Sequence, residues 1–144
     1  MERGATRGCA VALVFTGVVR GGAVVVKKVL VVDDSPAEIR LLQSVLQQGG
    51  FQSVGVSDPR KIEQAIDEER PSIILLDVVM PERNGFQVCR DLKNEERYAK
   101  IPVILVSSKS TPSDRYWGEQ QGASAYVTKP FTPEELLNTV RRFA

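Results

Sequence analysis

Between Lys28 and the end of the chain, short β-branched apolar runs alternate five times with amphipathic helical stretches. Such alternation leaves few architectures open. KVLVV (28–32) and SIILLD (72–77) lack polar alternation and read as strands buried on both faces. FQSVGVS (51–57), PVILVSS (102–108) and ASAYVT (123–128) complete the set, the last being more polar and expected nearer an edge. The first intervening helix is signalled by Ser35 as N-cap, Pro36 at its first position, a stripe of Ile39, Leu42 and Leu46, and a stop at Gly49-Gly50. Asp58-Pro59 opens the second, with Ile62, Ala65 and Ile66 on one face and Pro71 beyond its end. Gly85 to about Glu96 is predicted as the third, through Phe86, Val88, Cys89 and Leu92. Thr111-Pro112-Ser113-Asp114 and Thr132-Pro133-Glu134-Glu135 are capping boxes. They open a fourth helix ending at Gly122 and a fifth carrying Leu136, Leu137, Val140 and Phe143.

The expected fold is α/β, doubly wound, with a five-stranded parallel sheet and helices on both faces. In such a sheet the working site lies outside the carboxyl ends of the strands, where the strand order reverses.

Residues 1–27 read differently. An apolar run from Cys9 to Val19 follows Arg3 and Arg7, too short for the roughly 20 apolar residues of a membrane span. It resembles the basic and apolar parts of a signal peptide. Three origins are open: an export signal, a disordered or loosely docked extension, and upstream sequence from a start codon placed too early, with Val24, Val25 or Val26 as alternatives. The chemistry below needs a cytosolic phosphodonor and favours the last two. The domain is therefore expected over 28–144, in the cytoplasm.

Residues 1–28 carry five basic side chains against Glu2, a net +4, so the remainder is mildly acidic. That balance argues against a uniformly basic nucleic-acid binder. Histidine is absent, which excludes His-ligated metals, Ser-His and Cys-His nucleophile pairs and phosphorylation of this chain on histidine. Cys9 and Cys89 have no metal-site or disulfide spacing; Cys89, within a helix, is expected in the core.

The strand ends carry the chemistry. The first strand ends in Asp33-Asp34, the third in Asp77, the fourth in Ser107-Ser108, and Lys129-Pro130 follows the fifth. The topology would bring three carboxylates, a hydroxyl and an ammonium to one rim. Clustered carboxylates repel unless a cation is present. Mg²⁺ suits, because it takes one or two carboxylates, keeps waters and binds phosphoryl oxygens. An Asp beside it can act as a nucleophile on phosphorus.

VLVVDDSP (29–36), LLDVVMPERNG (75–85), PVILVSSK (102–109) and AYVTKPF (125–131) together resemble the receiver domain of bacterial two-component response regulators. The resemblance implies the flavodoxin-like strand order 2-1-3-4-5, with Asp77 as phosphoacceptor. It implies an acidic pocket of Asp33 and Asp34, and Mg²⁺ held there with Asp77 and the backbone carbonyl of Val79. Ser107 would be the switch hydroxyl, Tyr126 the aromatic that swings inward behind it, and Lys129 the contact to the phosphoryl group, with a cis Lys129-Pro130 bond. Asp114, Trp117-Gly118 and Gln121-Gly122-Ala123 look most like single-domain regulators of type IV pilus twitching and chemotaxis-like systems.

The implied partners are a sensor histidine kinase and a downstream protein on the face of the fourth helix, fifth strand and fifth helix. No direct nucleic-acid or membrane contact is expected, and the molecule would be a monomer or a weak phosphorylation-dependent dimer. It would be a signalling phosphoacceptor rather than an enzyme.

Each residue also has a plainer role. Asp33 can cap a helix, Ser107 can bond backbone, Tyr126 and Trp117 can pack. The fourth helix has few apolar residues besides Trp117, so it is equally a candidate moving surface. Val79 offers no polar side chain to orient an attacking water, and Lys109 adds a charge near the rim. A haloacid-dehalogenase-like phosphatase shares the residue types but needs Asp-x-Asp after its first strand, with the nucleophile there. A phosphorylation-independent interaction module stays open. A flavodoxin-like electron carrier is excluded, since Asp33-Asp34 would repel its phosphate.

Overall fold

The computed structural model describes residues 18–20, 23–25 and 27–144. Strands β1 (Lys28–Val32), β2 (Gln52–Val56), β3 (Ile73–Asp77), β4 (Val103–Ser107) and β5 (Ala125–Thr128) form one parallel sheet in the order β2-β1-β3-β4-β5. This is the expected 2-1-3-4-5 order, with β5 at one edge and β2 at the other. Helices α1 (Pro36–Gln48), α2 (Ile62–Glu69), α3 (Gly85–Lys93), α4 (Pro112–Gln120) and α5 (Pro133–Phe143) connect the strands and close the chain. Preceding the sheet, Val18–Arg20 and Ala23–Val25 pair antiparallel. Lys27 is also described, its carbonyl accepting the Gln52 N–H at 3.1 Å; the remaining residues of the expected N-terminal extension, Cys9 included, lie outside the described residues.

Two-residue periodicity divides the core into two layers. Val29, Val31, Ile73, Leu75, Ile104 and Val106 face α1 and α5, packing on Leu42, Leu46, Leu136 and Val140. Their strand neighbours Leu30, Val32, Ile74, Leu76, Val103 and Leu105 face α2 and α3, packing on Ile62, Ile66, Val88 and Leu92. With helices on both faces, β1, β3 and β4 are apolar at successive positions, which is why they read as continuous runs. Cys89 is buried, as expected, and its Sγ donates to the Gln121 carbonyl at 3.4 Å. Burial pushes its thiol up to about 11, so it stays protonated and unreactive.

All four predicted cap-proline starts are observed; several strand ends are one residue shorter than expected, and three boundaries differ for a structural reason. Asp58-Pro59 opens a 3₁₀ turn (Pro59–Lys61), and α2 begins only at Ile62. Helix α3 stops at Lys93 rather than near Glu96, because the chain then folds through turns that bury Tyr98. The Tyr98 hydroxyl donates to Asp67 Oδ1 at 2.9 Å, and Lys93 Nζ donates to the turn carbonyls of Ala99 and Ile101. Strand β5 starts at Ala125, since the Ala123 N–H still closes α4 on the Gly118 carbonyl, with Gly122 at φ +97°.

Helix α4 departs from its neighbours. Its buried residue is Gly118, whereas Tyr116 is 61% and Trp117 49% exposed. Trp117 is therefore not a core side chain.

Candidate functional site

The order of strands reverses at β1, which pairs with β2 on one side and β3 on the other. The residues that follow these strand ends meet there. Asp33 extends β1 by one hydrogen bond, its N–H donating to the Val56 carbonyl at 3.2 Å. Asp77 ends β3 opposite Val106. One carboxylate oxygen each of Asp33, Asp34 and Asp77 lies within 4.8 Å of the others. Asp33 and Asp77 are 2% and 7% exposed, while Asp34 opens to solvent.

Lys129 joins them from the end of β5. Its backbone N–H donates to the Ser107 carbonyl at 2.9 Å, and the Lys129-Pro130 bond is cis, as expected. Its ammonium lies 3.1 Å from Asp33 Oδ2, 3.1 Å from Glu38 Oε1 and 3.5 Å from Asp77 Oδ1. Burial lowers the Lys129 pKa, but the bonds to Glu38 and Asp33 outweigh it and hold the ammonium above its ordinary value. Burial and the neighbouring Asp33 push the Asp77 carboxyl up to about 6, against the pull of Lys129. The rim thus carries more negative charge than Lys129 compensates. Its all-oxygen donors, partly wet through Asp34, match the chemistry of a hard divalent cation such as Mg²⁺.

Both carboxylate oxygens of Asp33 are engaged. Its Oδ1 accepts the Ser35 N–H at 2.9 Å at the entry to α1, while Oδ2 faces Lys129. The turn fixes the carboxylate's orientation.

The loop after Asp77 closes tightly over the strand end. The Gly85 N–H donates to the Val78 carbonyl at 2.7 Å, and a Cβ at Gly85 would stand 2.2 Å from the Asp77 carbonyl oxygen. Only glycine fits there. The Val79 side chain points to solvent. Arg83, which no sequence motif singled out, ties this loop to α2 and α3. Its guanidinium donates to both Glu63 carboxylate oxygens at 3.0 and 2.9 Å, to the Pro59 carbonyl at 3.0 Å and to Asp91 at 3.2 Å.

Ser107 is fully buried at the end of β4, and its Oγ accepts the Lys109 N–H at 3.1 Å. The Tyr126 hydroxyl donates to the Lys109 carbonyl. The two side chains therefore bracket the backbone of Lys109 between β4 and α4. Arg115 of α4 stacks over the Tyr126 ring and bonds Thr128 Oγ1.

Glu38 is the second residue that sequence reasoning missed. Its place in the first turn of α1, three residues after the Ser35 cap, gave no signal beyond that of a capping acid.

The family described as response regulator receiver domain matches residues 29–141. Protein PilH of Pseudomonas aeruginosa is 39% identical over 113 residues, covering 78% of this chain and 93% of that protein. The transcriptional regulatory protein GltR of the same organism is 37% identical over 115 residues, 80% of this chain but 48% of its own length. Among solved structures, Vibrio cholerae chemotaxis protein CheY4 superposes with a TM-score of 0.77 at 29% identity, covering 83% of this chain and all of that one. The beryllofluoride-activated DrrB receiver domain does so with a TM-score of 0.73 at 34% identity, covering 83% and 97%. Fold and extent of match agree, and the chain belongs to the response regulator receiver domain family.

Proposed function

We propose that residues 28–144 form a phosphoacceptor domain that takes a phosphoryl group from the phosphohistidine of a sensor histidine kinase onto Asp77. Residues 1–27 would be an extension outside it. The observation that carries this is the convergence of Asp33, Asp34 and Asp77 within 4.8 Å, with Lys129 Nζ 3.1 Å from Asp33 and 3.5 Å from Asp77.

In the proposed transfer an Asp77 carboxylate oxygen forms a bond to phosphorus as the P–N bond to the donor imidazole breaks. The electron pair leaves with the imidazole nitrogen. Such transfers depend mostly on positioning and charge neutralisation. Lys129, already 3.5 Å from Asp77 Oδ1, supplies one fixed positive charge. Asp33, Asp34, Asp77 and the Val79 carbonyl would hold Mg²⁺, whose charge balances the phosphoryl oxygens when bound. Asp33 stays oriented by its bond from Ser35.

Ser107 is the proposed relay. Its hydroxyl accepts from the Lys109 N–H and keeps a proton to donate to a phosphoryl oxygen. Turning toward that oxygen weakens its hold on Lys109, whose carbonyl is the partner of the Tyr126 hydroxyl. Through Arg115, Tyr126 is in contact with α4. A change in this chain of contacts would shift a two-state equilibrium on the face of α4, β5 and α5, whose groove is lined by Arg115, Tyr126, Glu135 and Arg142 and would be read by a protein partner.

Intact-mass spectrometry after incubation with acetyl phosphate tests the acceptor. One phosphoryl adduct that requires Mg²⁺ and vanishes in Asp77→Asn is expected. An adduct formed equally in chelator, or retained in that variant, would contradict the proposal.

A further inference from the structure

Three helices of this fold begin with a hydroxyl residue followed, three positions later, by an acid: Ser35/Glu38, Thr111/Asp114 and Thr132/Glu135. At α4 and α5 the acid reaches back to its own cap. Thr111 N–H donates to Asp114 Oδ2 at 3.1 Å, and Thr132 N–H to Glu135 Oε1 at 2.8 Å. At α1 only half of that exchange exists. Ser35 Oγ accepts the Glu38 N–H at 3.3 Å, but the Ser35 N–H is already bonded to Asp33 Oδ1. The Glu38 carboxylate, without its capping partner, stands 3.1 Å from Lys129 Nζ instead.

An ammonium has three N–H donors, and Lys129 faces three carboxylates. Asp77 gives up its own charge when phosphorus bonds to it, and the ammonium must then move off its remaining carboxylates toward the charged phosphoryl oxygens. The side chains of Asp33 and Asp77 are 3% and 9% exposed, and that of Glu38 is 35% exposed. Glu38 can be rehydrated at least cost, whereas freeing Asp33 would leave a buried charge without its cation.

Resting on the receiver reading above, we propose that Glu38 is a positioning residue acting through Lys129. It holds the ammonium in the unmodified protein and competes with the phosphoryl oxygens for it. Modification of Asp77 exchanges one oxygen partner of Lys129 for another, and Glu38 sets how readily that exchange occurs.

The test is calorimetric titration of the full chain with beryllofluoride, a phosphoryl mimic, at saturating Mg²⁺. Glu38→Gln should tighten binding by roughly two- to fivefold, the range of one partly exposed ion pair. Its melting temperature without ligand should stay equal or fall slightly, since a first-turn acid is lost. A merely structural role predicts the opposite for binding. Glu38→Asp keeps the charge but withdraws the oxygen by one methylene, and should also tighten binding. Unchanged or weaker binding in Glu38→Gln overturns the proposal, as does a wild-type value in Glu38→Asp beside a tightened Glu38→Gln. If the wild-type protein binds no beryllofluoride, or binds it as well after Asp77→Asn, the receiver reading itself fails first.

Discussion

A buried carboxyl held at about 6 is a source of instability at neutral pH, and Asp77 is in that position. Burial and Asp33 disfavour its charged form, so folding favours the protonated one. The sign follows from linkage: the unfolded carboxyl ionises near 3.8, the folded one near 6. Below the lower value both states are protonated and the group is neutral to stability. As pH rises from about 4 to above 6 the folded state loses stability through Asp77. Asp77→Asn should therefore stabilise the metal-free protein by roughly 2 kcal/mol at pH 7.5 and hardly at all at pH 4. Urea denaturation in chelator at both pH values measures this, and a variant less stable than wild type at pH 7.5 would contradict it. Asp33, Asp34, Asp77 and Lys129 were legible in the sequence because each ends a strand or lies within two residues of its end. Glu38 was not, because a Ser-x-x-Glu spacing predicts a capping box. Only the bond from Ser35 to Asp33 reveals that the glutamate is free to face Lys129.

The elements differ in how firmly they are held. Helices α1 and α5 each bury several apolar side chains, while α4 buries only Gly118 and presents Tyr116 and Trp117 outward. Its capping box therefore carries an unusual share of its stability. Thr111→Ala removes the bonds to Asp114 and should cost about 1 kcal/mol. That loss should appear as faster amide exchange in α4 with little change in α1 or α5; uniform acceleration across all helices would contradict it. Element starts were legible because four cap-proline pairs mark them. The end of α3 was not, because the reason for stopping at Lys93 is tertiary. Burying Tyr98 and bonding it to Asp67 of α2 cannot be seen in the local pattern. The same holds for the loop after Asp77, where Glu82 sits at a left-handed φ of 71° next to the Arg83 anchor.

For the molecule as a whole, topology gathers residues that the sequence keeps far apart: Lys129 meets Asp33 across 96 positions and Asp77 across 52. The sheet order needed the family resemblance, since alternation alone gives a parallel sheet without its permutation. Among the described residues no helix is long and apolar enough to cross a membrane. The central claim is that this gathering makes one carboxylate, Asp77, an acceptor of phosphorus. An acyl phosphate is reduced by borohydride to an alcohol, which turns the modified aspartate into homoserine and marks it permanently. Peptide mapping after acetyl phosphate, Mg²⁺ and borohydride should find homoserine at position 77 and at neither 33 nor 34. Homoserine at one of those positions, or none anywhere in the chain, would contradict the account.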